Sequence, residues 1–431
     1  MPVSMQLGRP ANVSGRIACL LVLAAPLFGG GVWRVGPSRT FTAIQPAVDV
    51  ARTGDVVLVD PGTYAGFTVT GKGIAVVAAS GSFEVTTSVA APAVLVRGVA
   101  APDQVTILGA RVRYASTTQP AVRVVGNTGA VRVSQLEVEL VADLCSAAQQ
   151  AAVMVETTAT FWLIDSRVFR SAPRRATTTN PVGNNDGISA VFVSASDSVV
   201  QNCQLAGFDA CGTGYAGDAL RITGNTAVWL VDDYAQSPTA SVFRGGDGGA
   251  YGGNALHYLG AKSGLTRITF CGRTSLTGGT GSVLAGGPLA LNNDGGLVQP
   301  GVWRLPQPCT GAQVAQCSVD APSVPPGGNL RLRVYTLTNR SYVLVASAGT
   351  LFRRNLLGLG LAGRGVVDLT VPGVLIAAAG VTTGQTATVL NFPVPPVPAL
   401  SGLQLTFQSL IGPVNGVGNT LSFPSLAVIT Q

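Results

Sequence analysis

The stretch GTGYAGDALRITG, Gly212 to Gly224, returns 36 residues later as GGAYGGNALHYLG, Gly248 to Gly260. The two align without gaps and share Gly, Tyr, Gly, Ala, Leu and Gly at matching places. Self-similarity at a fixed offset marks a repeat architecture, in which each unit buries its apolar face only by stacking on its neighbours. Working outward, the Ala-Leu core of the repeat has relatives along the chain: Ala121-Val122-Arg123-Val124, Ala152-Val153-Met154-Val155, Ala190-Val191-Phe192-Val193, Ala219-Leu220-Arg221-Ile222 and Ala255-Leu256-His257-Tyr258. Their spacings are 31, 38, 29 and 36 residues. The second, third and fourth are each followed by another short strand, Trp162-Leu163-Ile164-Asp165, Val199-Val200-Gln201-Asn202 and Trp229-Leu230-Val231-Asp232. Short strands in repeats longer than about 20 residues, without WD or kelch motifs, predict a parallel β-helix rather than a propeller.

Composition agrees. Of 431 residues, 47% are apolar and only 11% charged, which excludes charge-rich disorder. Many Gly and Val point to buried strands. No internal apolar run is long enough to span a bilayer as a helix. The net charge of +7 is spread rather than clustered: residues 32–299 hold 18 basic and 18 acidic side chains, and residues 300–431 hold seven Arg and two Asp. A nucleic-acid footprint would need a basic stripe, so none is expected. Arg9, Arg16 and the apolar Ile17–Phe28 read as an export signal over 1–31, with an uncleaved membrane anchor as the rival reading. Six Cys follow it: Cys145, Cys203, Cys211, Cys271, Cys309 and Cys317. An even number in an exported chain permits disulfides, with Cys203/Cys211 and Cys309/Cys317 the nearest pairs. With no C-x-x-C and one His, zinc is not expected.

A helix is expected from Thr42 to about Arg52, since Ile44, Val48 and Ala51 share a face. Thr42 and Gln45 have capping-box spacing, and Gly54 ends the element. The strand Val56–Val59 and the turn Asp60-Pro61-Gly62 follow. Together, Val35 to Val69 resembles the N-terminal start of right-handed parallel β-helix proteins of the pectin-lyase-like superfamily. Thr42-Ala43-Ile44-Gln45, Ala47, Ala51, Gly54-Asp55 and Pro61-Gly62-Thr63-Tyr64 carry that resemblance, which extends roughly from Trp33 to Gly279. It implies a capping helix followed by the first turn of a solenoid.

The resemblance also directs attention to acidic polysaccharides. Polygalacturonase-like members use clustered Asp residues with supporting His and Arg-x-Lys elements. Asn184-Asn185-Asp186-Gly187 resembles their Asn-Thr-Asp segment, and Gly217-Asp218 is half of a paired-Asp segment, its second Asp replaced by Ala219. His257 lacks a Gly-His-Gly context, and Arg267-Ile268-Thr269 lacks the final Lys. Asp186 and Asp218 on adjacent turns could meet the roughly 6.5–9.5 Å separation of an inverting pair; the plain alternative is two turn formers. Calcium is the one cofactor the pattern admits, through Asp232 and Asp233 in line with Asp165 and Asn202; the alternative is a polar ladder linking turn to turn. Gly245-Gly246-Asp247-Gly248-Gly249 faintly resembles nonapeptide calcium repeats but reads as a flexible loop. His257 is expected on the outer side of its strand, solvated, with Arg221 on the related strand. Tyr215 and Tyr251 occupy identical repeat positions and are candidates for stacking on sugars.

After a Gly/Pro-rich linker over 286–328, strands alternate cleanly: Leu330, Leu332 and Val334 oppose Arg331 and Arg333. Further strands are expected at 343–346, 366–371, 387–392, 403–407 and 421–428, which suggests a β-sandwich over 329–431. FPVPPVPALSGLQLTFQSL, Phe392 to Leu410, resembles the C-terminal β-sandwich tails of some secreted bacterial surface proteins. The sequence therefore predicts an all-β chain: signal 1–31, right-handed parallel β-helix with a short capping helix over 32–285, linker, and C-terminal sandwich. The expected role is binding or structural at the cell surface, contacting polysaccharide. The alternative is a divergent polysaccharide lyase or glycoside hydrolase. The binding candidates are Asp186, Asp218, Tyr215, Tyr251, Arg221 and His257.

Overall fold

A computed structural model describes residues 31–86, 91–114, 119–140, 151–170, 187–210, 214–224, 226, 228–231, 241–248, 252–259, 268–271, 274–280, 289–293, 297–300, 302–304, 316–320, 323–335, 340–348, 374–382, 388–412, 420–421 and 425–429. The chain divides into two compact units, one spanning Gly30–Gly311 and the other containing Ala312–Gln431.

The first unit is built from long parallel sheets. Three ladders of short strands run through it. The first ladder pairs Phe67–Thr70, Val94–Arg97, residues 122–125, residues 153–156, residues 191–194, Leu220–Thr223 and Leu256–Leu259 in parallel. The second pairs Val32–Val35, Val56–Val59, Ala75–Ala78, Gln104–Leu108, residues 130–134, residues 160–164, Asp197–Gln201, Val228–Val231 and Ile268–Cys271. The third runs from Thr63–Ala65 through Phe83–Thr86, Ala110–Tyr114, Glu137–Leu140, Arg167–Arg170, Gln204–Ala206 and Val242–Arg244 to Ser275–Thr277. The repeats align as their sequences predict. Val122, Val153, Val191, Leu220 and Leu256 are partners in one register, and so are Trp162, Val199 and Trp229.

The physical reason is a continuous interior. Val94, Val122, Val153, Val191, Leu220 and Leu256 stack at essentially zero exposure, with Val131, Phe161 and Leu230 facing from the second ladder and Val138, Val168 and Leu205 from the third. Each such side chain contributes roughly 1.5–3 kcal/mol by leaving water. A one-residue slip would turn the whole row outward, so burial fixes the register.

Buried polar ladders satisfy the backbone where the chain turns between ladders. The Asn127 carboxamide accepts Val99 N–H at 2.9 Å and donates to Thr158 Oγ1; Thr158 N–H donates to Ser196 Oγ, and Ser196 N–H to Thr226 Oγ1. At the next corner Ser166 Oγ accepts Leu136 N–H, and Ser241 Oγ accepts Cys203 N–H. Gln135, Asp165 and Asn202 occupy equivalent turn positions there with φ near +50°, a conformation that Asn and Asp tolerate best among non-Gly residues. Asn202 Nδ2 donates to Asp165 Oδ1 at 3.1 Å, a direct link from one turn to the next.

The helix spans Ile44–Val50 and buries Ile44, Ala47 and Val48 against the first strands. The capping box does not form: Ala43 is the N-cap, and Gln45 turns away to bind both N–H and C=O of Thr68. The C-terminus is capped by a side chain from elsewhere. Lys72 Nζ donates to the carbonyls of Val48, Asp49 and Ala51, which places a cation at the negative end of the helix. Asp55 fastens the first strand by accepting from Gly31 N–H, Trp33 Nε1 and Arg52 N–H. Tyr64 closes the Asp60-Pro61-Gly62 turn by donating to Asp60 O.

Part of 286–328 is built into sheets. Leu297–Pro300 pairs antiparallel with Leu289–Asn293, and Val302–Arg304 pairs antiparallel with Ser275–Thr277. In the second unit, Gln316–Val319, Asn329–Tyr335 and Thr388–Pro393 form one antiparallel sheet. Ser323–Val324, Ser341–Ala348, Val374–Val381, Gln404–Ile411, Thr420–Leu421 and Ser425–Ile429 form another. Leu330, Leu332 and Val334 share a core with Leu344, Leu405 and Phe407. Residues 366–371 lie outside the described residues.

Candidate functional site

The site begins at bare backbone. Where the chain leaves the third ladder and returns to the first, glycines pack against one another. A zigzag of backbone hydrogen bonds crosses this seam: Gly279 N–H to Gly253 O, Gly253 to Gly246, Gly246 to Gly217, Gly217 to Phe208, and Phe208 to Ile188, all at 2.8–2.9 Å. A Cβ at Gly187, Gly207, Gly217, Gly245, Gly246, Gly253 or Gly279 would fall under 3 Å from a facing backbone atom. Only Gly fits a backbone approach this close. The expected flexible loop at Gly245–Gly249 is therefore corrected over its described part. Gly245, Gly246 and Gly248 donate to Thr277, Gly217 and Thr280, and the Asp247 carboxylate accepts Thr280 N–H and Oγ1 and pairs with Arg244. Asp209 does the same job one repeat earlier, accepting Asp247 N–H and pairing with Arg170.

The seam delivers Asp218 to the start of its strand, 5% exposed. Its Oδ1 accepts both the backbone N–H and the side-chain Nδ2 of Asn254, each at 2.8 Å. Its Oδ2 lies 2.8 Å from His257 Nδ1. The two candidates, 39 residues apart in sequence, are brought into direct contact. His257 does face outward, but its side chain is only 15% exposed. The expectation of a solvated His is overturned because Asp218 on the preceding strand holds the ring against the sheet. With Oδ2 accepting from Nδ1–H, Nε2 is the ring nitrogen directed away from the carboxylate.

Arg221 is the cross-strand partner of His257, and Phe192 and Met154 continue the row. All four are half-buried. Arg123, partner of Met154, pairs with Glu156 at 3.0 Å, so its charge is matched within the face. Arg221 Nε is buried without a hydrogen-bond partner. Among the described residues the row thus offers a half-buried cation with no carboxylate within salt-bridge distance, an aromatic ring beside it, and an Asp–His pair fixing the next position. The third ladder looks different on its outer side, where Glu84, Arg111, Glu137 and Arg167 alternate in sign along the register.

Tyr215 is 53% exposed on the returning arm of the seam, and its carbonyl accepts Gly187 N–H at 2.6 Å. Asp186, Tyr251, Asp232 and Asp233 lie outside the described residues. Among the described residues no group of three His, Cys, Asp or Glu side chains could hold a metal ion. Cys203 and Cys317 are buried, and their expected partners Cys211 and Cys309 lie outside the described residues. No described helix is long and apolar enough to cross a membrane. The chain matches no protein-family model and no curated relative.

The seam was the feature that sequence reasoning missed. Its signal was present in the Gly217/Gly253 identity of the 36-residue repeat and in Gly207/Gly245, one at the end of each third-ladder strand.

Proposed function

We propose that Gly30–Gly311 is a right-handed parallel β-helix of pectin-lyase-like architecture in an exported protein, and that the outer face of its first ladder holds polysaccharide without cleaving it. The second unit is then a β-sandwich completing a surface protein. The observation that carries this reading is the use of Asp218. A glycosidase acid or base needs a carboxyl free to exchange a proton with substrate. Both oxygens of Asp218 are instead engaged by Asn254 and His257 in a nearly closed position. Arg221 and Phe192 beside it supply what binding needs, a cation for an acidic sugar and a ring for its apolar face. The segment Arg9–Phe28 supports export.

The test is incubation of the full chain with a panel of acidic and neutral polysaccharides, reading both retention and bond cleavage. Retention on acidic polymers without new reducing or unsaturated ends is expected. Release of such ends would replace this reading with the lyase or hydrolase alternative. Export is checked separately by fractionating cells and sequencing the mature N-terminus.

A further inference from the structure

The two large apolar side chains most open to water among the described residues stand on one strand. Ile376 is 68% exposed and Val381 65%, both on Val374–Val381. Ala379 between them is exposed too. This strand ends its sheet. It pairs antiparallel with Ser341–Ala348 on one side, and no described strand pairs with its other side. The register shows which backbone groups face that open side. Thr382 N–H donates to Arg340 O, and Gly412 N–H donates to Ser341 O on the opposite flank of Ser341–Ala348. In an antiparallel ladder the bonding direction alternates, so Gly380 and Ala378 bond to Tyr342 and Leu344. Ala379 and Val381 therefore turn N–H and C=O to the open edge.

Exposed edges are ordinarily guarded by charge, proline or a bulge. Ala377 does form a bulge, with Ala378 opposite Leu344 and Ile376 opposite Val345, but Ala378–Val381 is regular beyond it. Charge is missing altogether. None of the sheet's six strands holds an Asp, Glu, Lys or Arg, and residues 369–431 hold none either. Arg340, next to the sheet, is only 8% exposed. The other sheet of the second unit does carry charge: Arg331 and Arg333 both pair with Asp320. Open strand backbone is completed by another strand, and a copy of the same strand fits it. An antiparallel edge is complementary to itself about a two-fold axis, and an uncharged copy neither repels it nor brings a charge to desolvate. A membrane surface would need a wide apolar face with basic or aromatic residues at its margin; here the exposed row is a narrow aliphatic line, Ile376, Ala379 and Val381.

We propose that two copies of this chain associate through Val374–Val381, antiparallel about a two-fold axis at Gly380. Ala379 then exchanges both backbone bonds with the partner's Val381, and Val381 does so with the partner's Ala379. Centring the pair on Gly380 keeps the Ala377 bulge out of the new ladder. The pairing is shorter than a standard interface, so it depends on concentration. It is independent of the polysaccharide reading, which concerns the other unit.

The experiment uses the full chain in sedimentation velocity from about 1 μM to about 0.3 mM, with amide hydrogen exchange read at both ends of that range. The wild type is expected to pass from monomer to dimer. The Ala379 and Val381 amides should gain at least about tenfold protection in the dimer, while Ala378 and Gly380, already bonded, should not change. Val381→Lys should weaken the dimer at least about tenfold, because it sets two like charges near each other across the axis. Ala379→Pro should do the same by removing an outward N–H; if it does not fold, Val381→Lys and the exchange pattern still decide. Val389→Lys, on the other sheet and 37% exposed, should leave the dimer intact. A wild type that stays monomeric up to the highest concentration would overturn the proposal. So would growth beyond the dimer, equal dimerisation in Val381→Lys, equal loss in Val389→Lys, or protection gained at Gly380 instead of Ala379 and Val381. A monomer that floats with phosphatidylcholine vesicles, and floats less as Val381→Lys, would make a membrane the occupant and overturn it too.

Discussion

Two stretches of the first unit share one row of stacked apolar side chains but enter it differently. From Phe67 to about Val155 the strands are locked by side chains, with Ala93, Ala121 and Ala152 leading into stacked Val residues. From Gly187 to Gly279 the approach to the first ladder is locked by bare backbone, glycine on glycine, with hydrogen bonds crossing between outgoing and returning chain. The first device fails when volume is removed, and the second fails when volume is added. The contrast explains why the candidate face gathers at the second stretch. Backbone contact brings the Asp218 strand and the next strand to a fixed offset, and Asn254 and His257 can then reach one carboxylate.

The comparison is broken most severely by Gly253→Val. The added side chain would collide with the backbone of Gly217 and Gly246, and the loss should reach ~4 kcal/mol or more, read as a fall in denaturant midpoint. If Gly253→Val melts like the wild type, the seam is not close-packed. In the side-chain-locked region the matching experiment is Val153→Ala, at a fully buried position. It should cost about 2 kcal/mol through lost burial and an unfilled cavity; no change would mean that the stack is loose there.

Next in size is Asp218→Ala, which strips the partner from His257 and two donors of Asn254. About 1–3 kcal/mol is expected, together with a shift in the resonance of the chain's sole imidazole. An unmoved imidazole signal would contradict the contact. Lys72→Met should cost about 1 kcal/mol by uncapping the helix C-terminus, seen as faster amide exchange near Val48 and Ala51. Smallest is Arg123→Gln, whose pair with Glu156 is partly solvated, so at most ~0.5 kcal/mol is expected.

How much of this was legible in the sequence follows from range. The helix, the aliphatic rows and the alignment of repeats depend on local periodicity, which the residues carry. Val122, Val153, Val191, Leu220 and Leu256 could be paired on paper because each stands at the same offset after an Ala or Ala-like start. Asp218 with His257 could not, because the contact depends on the seam placing residue 254 beside 218, and glycine-rich sequence looks the same whether it is loose or tightly packed. The capping box failed for a similar reason. Thr42 and Gln45 had the right spacing, but a tertiary partner, the Thr68 backbone, won the Gln45 amide. His257 looked solvated because alternation fixes only the side of the sheet, while exposure depends on the neighbouring strand.

The account turns on the first-ladder face being a binding surface that spares its ligand. The most direct measurement is calorimetric titration of an acidic polysaccharide into the wild type and into Arg221→Ala/Phe192→Ala, with the products checked for new chain ends. The account predicts saturable wild-type binding, loss of the first-ladder component in the double variant, and no new ends from either. Binding unchanged by the double variant, or new ends that vanish with Asp218→Asn, would contradict it.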